Sequence, residues 1–325
     1  MRVLLAQHLG FCFGVRDALM IAESTDRPDL VTIHGELVHN EAVLHRLDEL
    51  GFHRQPESNR AEIPATPFVM ITAHGVSDAE RQRLTAAGKQ FLDTTCPLVV
   101  RVHRAALELA AEGRHVIIIG RPGHVEVAGV LEDLPSGEVI SDAAQARNFE
   151  RLRLGVVCQS TTPPRVAEET LMAIRRLNPD ADVRSIDTIC QPTRDRQDAV
   201  KRLLPQIDVM VVVGGQNSNN TRELARLAEE SGVPTHHVQG PDDLDPAWFL
   251  EKTACGLTAG TSTLDTTVSA VHRRLLRIAA ERETAECREA EIAIRGVGVS
   301  GGESDGVTRS SSPQPALSRS AAPPA

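Results

Sequence analysis

The sequence predicts an α/β protein built on parallel sheets and folded from three related units. Apolar runs of strand length, bounded by Gly, Pro or polar clusters, alternate along the chain with stretches of helical periodicity, as parallel sheets with crossover helices require. In addition, a cysteine followed by a polar loop occurs three times. From Cys12 to His39, from Cys96 to His124 and from Cys190 to Ser218 the intervals are 27, 28 and 28 positions. A chain of 325 residues is also long for one core and divides naturally into units of roughly 100 residues.

The elements follow in order. RVLLA at the N-terminus is a short apolar strand, and GVRDALMIAE behind Cys12 has helical spacing. FVMITA is the next strand, followed by the helix DAERQRLTAAG, whose final Gly suits a C-cap. Behind Cys96 comes the amphipathic LVVRVHRAALELAAEG, then the branched-aliphatic strand HVIIIG, the strand LGVVC and the helix PRVAEETLMAIRRL. Behind Cys190 stand the helix RQDAVKRLLPQ, the strand VMVVVG, the helix TRELARLAEESG and the strand CGLTAG. Each unit has a second polar loop after a strand: TAHGVS at His74, CQSTT at Ser160 and TAGTS at Ser262, lying 62, 64 and 72 positions past the leading cysteines. Each unit thus offers one thiol and two strand-end loops, where α/β sheets place ligand-binding groups.

Composition narrows the function. With 35 Lys and Arg against 44 Asp and Glu, an acidic chain is a poor general partner for nucleic acid or an anionic membrane. One Trp and no Tyr leave little for base stacking. No apolar run reaches membrane-spanning length, and the strand-like start leaves no room for a signal peptide, so a cytoplasmic protein is expected. Six widely spaced cysteines do not form a secreted disulfide framework, which points to metal, catalysis or burial.

Cys12, Cys96 and Cys190 each precede a helix, where the positive end of the helix dipole is expected to lower a thiol pKa and favour the metal-binding thiolate. Pro97 is tolerated in a first turn, and Gly14 lets the backbone approach a bulky ligand. Soft thiolates select zinc, copper(I) or iron-sulfur centres. Zinc sites commonly use close cysteine pairs, which this chain lacks, and three equivalent thiols suit an iron-sulfur cluster with one iron left open. Cys158 and Cys255, in apolar strands, are expected to be buried packing residues. His39, His74 and His124 follow strands and titrate near neutrality. QNSNNTREL offers Ser218, Asn219, Asn220 and free N–H groups at a helix start, an arrangement that holds phosphate and also serves as a plain cap. Glu126 is a candidate proton donor, because burial raises a carboxyl pKa.

GFCFGV, VHN, TAHGVS, DTTCPLV, the GH-x-E segment and the cysteine before an RQ-A-V helix together resemble the 4-hydroxy-3-methylbut-2-enyl diphosphate reductases, from about Met1 to Ala280. The resemblance implies three pseudo-equivalent α/β domains in a trefoil around a central 4Fe-4S cluster with ligands Cys12, Cys96 and Cys190 and one open iron. It implies domains 14–95, 96–188 and 189–280 plus 1–13, with Cys12 at the junction. It also implies a small allylic diphosphate substrate bound by His39, His74, His124, Ser160, Ser218, Asn219, Asn220 and Ser262, and protons relayed by Glu126 and Ser160. The electron donor would be a ferredoxin or flavodoxin. Residues 281–325, charged and then rich in Ser, Pro, Gly and Ala, read as a low-complexity, disordered tail with no chemical role.

The chain departs from the family pattern near the substrate. Ser160 stands for a usual Thr, Asn219 for a Ser, Thr263-Leu264 for Ala-Pro and Arg121 for a His, while Pro192 and Arg194 are added beside Cys190. Extra charge at Arg121 or Arg194 would aid diphosphate binding or mark a divergent cluster-bearing paralogue that binds or senses a related diphosphate without turnover.

Overall fold

The computed structural model describes residues 1–297, with side-chain burial described to Arg288. Residues Met1–Glu281 form one compact unit. The chain runs β1 (Arg2–Leu5), α1 (Phe13–Glu23), β2 (Val31–His34), α2 (Glu41–Glu49), β3 (His53–Gln55), β4 (Phe68–Ile71), α3 (Asp78–Ala86) and β5 (Gln90–Asp93). It continues through α4 (Pro97–Ala111), β6 (His115–Ile119), α5 (Val125–Glu132), β7 (Gly137–Ile140), β8 (Arg153–Cys158), α6 (Pro164–Leu177) and β9 (Asp182–Ser185). Last come α7 (Gln191–Leu203), β10 (Val209–Val213), α8 (Asn219–Glu230), β11 (Thr235–Val238), β12 (Ala254–Ala259) and α9 (Asp265–Val297).

The strands form three four-stranded sheets, ordered β3-β2-β4-β5, β7-β6-β8-β9 and β11-β10-β12-β1, and every pairing is parallel. Covered on both faces, the central strands are continuous apolar runs. Ile117, Ile118 and Ile119 of β6 and Val209, Val211, Val212 and Val213 of β10 are fully buried. In the third sheet β1, from the chain start, pairs with β12, Arg2 opposite Ala254 and Leu5 opposite Leu257. It holds the edge that β5 and β9 hold in the other two.

This order fixes where a site can form. In the first two sheets the chain leaves one central strand toward one edge and returns through the other central strand toward the opposite edge, which β1 supplies in the third, so the strand order reverses between β2 and β4, between β6 and β8, and between β10 and β12. The loops at such a switch point diverge and leave a crevice. His39, His74, His124, Ser160, Ser218 and Ser262 all lie in loops that follow these six strands.

All six strands read from the sequence are present, and six others were missed. β3, β5, β7, β9 and β11 are short edges of three or four residues with polar side chains, too brief for periodicity to register. β2 is central, but its VTIH ends in a fully buried His34, satisfied by Gln55 Oε1 at 2.8 Å and Glu80 Oε1 at 2.9 Å. The expected loss of order after Ala280 is corrected in part: α9 is helical to Val297. Ala, Glu and Arg are strong helix formers, and Arg282 pairs with Glu286 one turn on. The rest of the expected disordered tail, 298–325, lies outside the described residues.

Candidate active site

Cys12, Cys96 and Cys190 are the N-cap residues of α1, α4 and α7. All three are free thiols and line a single cleft, partly open to solvent. A Cβ on Gly14 would stand 2.4 Å from Cys96 Sγ, so only glycine lets α1 start beside that thiol. The expected lowering of the thiol pKa is not what the folded chain gives. Burial pushes Cys96 up despite the N–H groups of Leu98 and Val99, and pushes Cys190 up to about 11 despite its hydrogen bond with Thr193 Oγ1 at 3.1 Å. At Cys96 and Cys190 desolvation outweighs the helix dipole, so these two thiols hold their protons until a cation displaces them. Three convergent thiols with a glycine cradle fit a soft-metal or iron-sulfur group. Cys158 and Cys255 are buried in strands with pKa values pushed up to about 12, as inert packing thiols should be.

Three imidazoles line the same cleft. His39 and His74 stack with ring centres 4.2 Å apart, and His124 meets them edge-on at 5.2 and 5.5 Å. His39 Nδ1 lies 2.7 Å from Glu36 Oε2, which fixes Nδ1–H on the carboxylate and leaves Nε2 for a ligand. His124 N-caps α5, its Nδ1 accepting the Glu126 N–H at 3.2 Å, so its proton sits on Nε2. Burial, with neighbouring positive groups, holds His74 well below the usual histidine range and His124 down to about 3. Imidazoles this close can take a cation or an anion. The same cleft is lined by Asn220, whose buried Nδ2 has no partner, and a surplus donor favours the anion.

Glu126, in the first turn of α5, is 3% exposed. Ser160 N–H donates to its Oε1 at 2.7 Å and Ser160 Oγ–H to its Oε2 at 2.9 Å. Burial raises its pKa against these bonds, so the carboxyl holds a proton more readily than an exposed one. On the third side, Ser218 caps α8 by accepting from Thr221 N–H at 3.3 Å. Asn220 Oδ1 accepts from Thr261 N–H at 3.1 Å, and Ser262 Oγ lies 3.5 Å from Ser218 Oγ. Phe13, Val15, Val38, Leu98 and Val99 give the cleft lining its apolar part.

The structure brings every site residue named from the sequence to this cleft, but it sorts the departures. Asn219 lines the cleft, and its Nδ2 donates to Thr161 Oγ1 at 3.0 Å, joining the loop after β10 to the loop after β8. Pro192 also lines it. Arg121 and Arg194 do not. Arg121 stands with Arg222 and Arg226 around a neighbouring pocket, and Arg194 pairs with Asp187, so the extra charge expected beside the substrate is directed elsewhere. Thr263 is buried, donating to Val213 O at 2.9 Å, and Leu264 packs into the core around α1 and β2. Sequence reasoning missed Glu36, which orients His39, and Asn40, whose Nδ2 donates to Ser262 O at 2.7 Å. The VHN motif contained Asn40, but its partner is 222 positions away.

The family model described as LytB protein matches residues 3–276. A 4-hydroxy-3-methylbut-2-enyl diphosphate reductase of Methylibium petroleiphilum is 39% identical over 86% of each chain, and the protein of that name from Aquifex aeolicus is 34% identical over 85% of this chain and 96% of its own. A solved structure of (E)-4-hydroxy-3-methyl-but-2-enyl diphosphate reductase, the terminal enzyme of the non-mevalonate pathway, superposes with a TM-score of 0.59 at 32% identity, covering 85% of this chain and 100% of the other. With the family model spanning nearly all of the compact unit, the chain belongs to the LytB family.

Proposed function

We propose that this protein is a 4-hydroxy-3-methylbut-2-enyl diphosphate reductase of the non-mevalonate isoprenoid pathway. It would reduce its allylic diphosphate with two electrons and two protons, releasing the hydroxyl as water and yielding isopentenyl and dimethylallyl diphosphate. The observation that carries this reading is one cleft lined by three free thiols, by a buried carboxyl paired with a hydroxyl, and by imidazole, hydroxyl and amide donors.

A 4Fe-4S cluster held by Cys12, Cys96 and Cys190 would supply the electrons and, at the iron without a cysteine, a Lewis acid for the hydroxyl. Everything else falls to the chain. His39, His74 and His124 offer ring N–H groups to the diphosphate, joined by the Ser218 and Ser262 hydroxyls, Asn220 Nδ2 and the N–H groups of Asn219 and its neighbours at the start of α8. Anion binding raises the His74 and His124 pKa values that burial lowers, so these two imidazoles gain protons as substrate enters. Glu126 holds a proton, and Ser160 Oγ, 2.9 Å away, passes it toward the reacting carbon or hydroxyl. Phe13, Val15, Val38, Leu98 and Val99 keep water from the hydrocarbon part.

The reading includes three pseudo-equivalent units in a trefoil, 14–95, 96–188 and 189–280 with 1–13, each built on one sheet. It also includes a cytoplasmic location and a ferredoxin or flavodoxin as donor. Among the described residues no helix is long and apolar enough to cross a membrane. The test is product identification. Anaerobically reconstituted protein, given substrate and a chemical reductant, should form both isoprenyl diphosphates, whereas substrate recovered intact from cluster-bearing protein would favour a binding or sensing role.

A further inference from the structure

Arg196 lies on α7, six residues after Cys190, and is 4% exposed. A guanidinium stays charged at any accessible pH, and burying one is expensive unless an anion compensates it. Among the described residues no carboxylate stands at ion-pair distance from it. Its terminal nitrogens are engaged with main-chain oxygens instead: Nη2 donates to Gly10 O at 2.6 Å and Nη1 to Pro192 O at 3.1 Å, while buried Nε has no partner. Gly10 is two residues before Cys12, and Pro192 two residues after Cys190. Arg196 therefore ties together the turns that carry two of the three thiols. Burial lowers the Arg196 pKa, and the groups that oppose this most, once ionised, are Cys12 and Cys190, ahead of Asp195 and Asp265.

We propose that Arg196 is a positioning residue that serves as the buried counter-charge of the thiol-held cluster, fixing the Cys12 and Cys190 turns and raising the cluster's reduction potential. This inference rests on the iron-sulfur reading above. Its sign follows from charge alone. Reduction adds one negative charge to an already anionic thiolate-bound group, and a fixed cation in a poorly solvated site favours the more negative state. The orphaned Nε and the absent carboxylate are then explained, because the compensating anion is the cluster.

The test is the midpoint potential of the reconstituted cluster, followed by electron paramagnetic resonance in an anaerobic redox titration, with iron content measured alongside. Arg196→Gln should bind iron yet show a downward shift, and Arg196→Lys, which restores charge without the fork, should recover most of it. An unchanged potential in Arg196→Gln, or a Lys variant shifted as far as the Gln variant, would overturn the counter-charge role. If Arg196→Gln takes up no iron, Arg196→Lys carries the test, since a potential close to wild type supports the proposal and a lowered one contradicts it. Wild-type protein that bound no iron would overturn the cluster reading itself.

Discussion

Glu126 is where single residues decide most. Its carboxyl is buried, accepts two hydrogen bonds from Ser160 and has a raised pKa, so Glu126→Gln keeps the shape and most of the bonding while removing the acid. Turnover should fall by roughly 10²- to 10⁴-fold with cluster absorption unchanged, and an unchanged rate in steady-state assays would reject the proton role. Cys96→Ser should instead lose most of its iron and its visible absorption, because one of three thiols is removed. His124 gives a stability prediction. Its folded pKa of about 3 lies below the ordinary histidine value of 6.5, so the folded state binds fewer protons than the unfolded one. The stability that it contributes is whole above pH 6.5 and is lost as the pH falls toward 3. Urea midpoints against pH should show that acid limb, and His124→Asn, which can still cap α5, should flatten it. At this scale the sequence displayed the ligand types but not their orientation. His39 was legible in VHN, while Glu36, which holds its Nδ1, was not, because three-residue neighbours in a loop carry no periodic signal. The thiol pKa direction was misread for a related reason, since burial depends on the packing of distant chain.

At the scale of elements, the site is a product of strand order. The loops that carry His39 and His74, Glu126 and Ser160, and Ser218 and Ser262 leave paired central strands at three reversal points. Five of the six central strands were readable as apolar runs, as was the edge strand β1, and the other five edges were not, being three to four residues long and stabilised by pairing rather than by their own pattern. Asn40 couples two such loops: its Oδ1 caps α2 through Val43 N–H at 3.1 Å, and its Nδ2 donates to Ser262 O at 2.7 Å. Asn40→Ala loses a cap and a buried interloop bond, and should cost about 1.5 to 2.5 kcal/mol, visible as a lower denaturant midpoint at unchanged slope, together with weaker substrate binding.

At the scale of the whole molecule, the threefold spacing of the cysteines reflects three sheets of the same strand order, the third completed by the first strand of the chain. The repeat was visible in the sequence because the Cys-to-loop intervals are set by one helix and one strand each time. The pairing of β1 with β12 was not, because it joins residues some 250 positions apart. Removing residues 1–5 should leave β12 as an open edge, lowering the thermal midpoint and promoting self-association seen by gel filtration. Residues 281–297, read as tail, instead continue α9, whose first half buries Val271, Leu275 and Ile278 in the core, and charged side chains at one-turn spacing support the extension.

The central claim is that one cleft couples three thiols, a buried acid and a diphosphate rim into a two-electron reduction. The most direct measurement is anaerobic oxidation of a reduced viologen by the reconstituted protein upon addition of 4-hydroxy-3-methylbut-2-enyl diphosphate. The account predicts substrate-dependent oxidation with two viologen electrons consumed per substrate. A protein carrying its full cluster that binds the substrate yet oxidises no dye would contradict it.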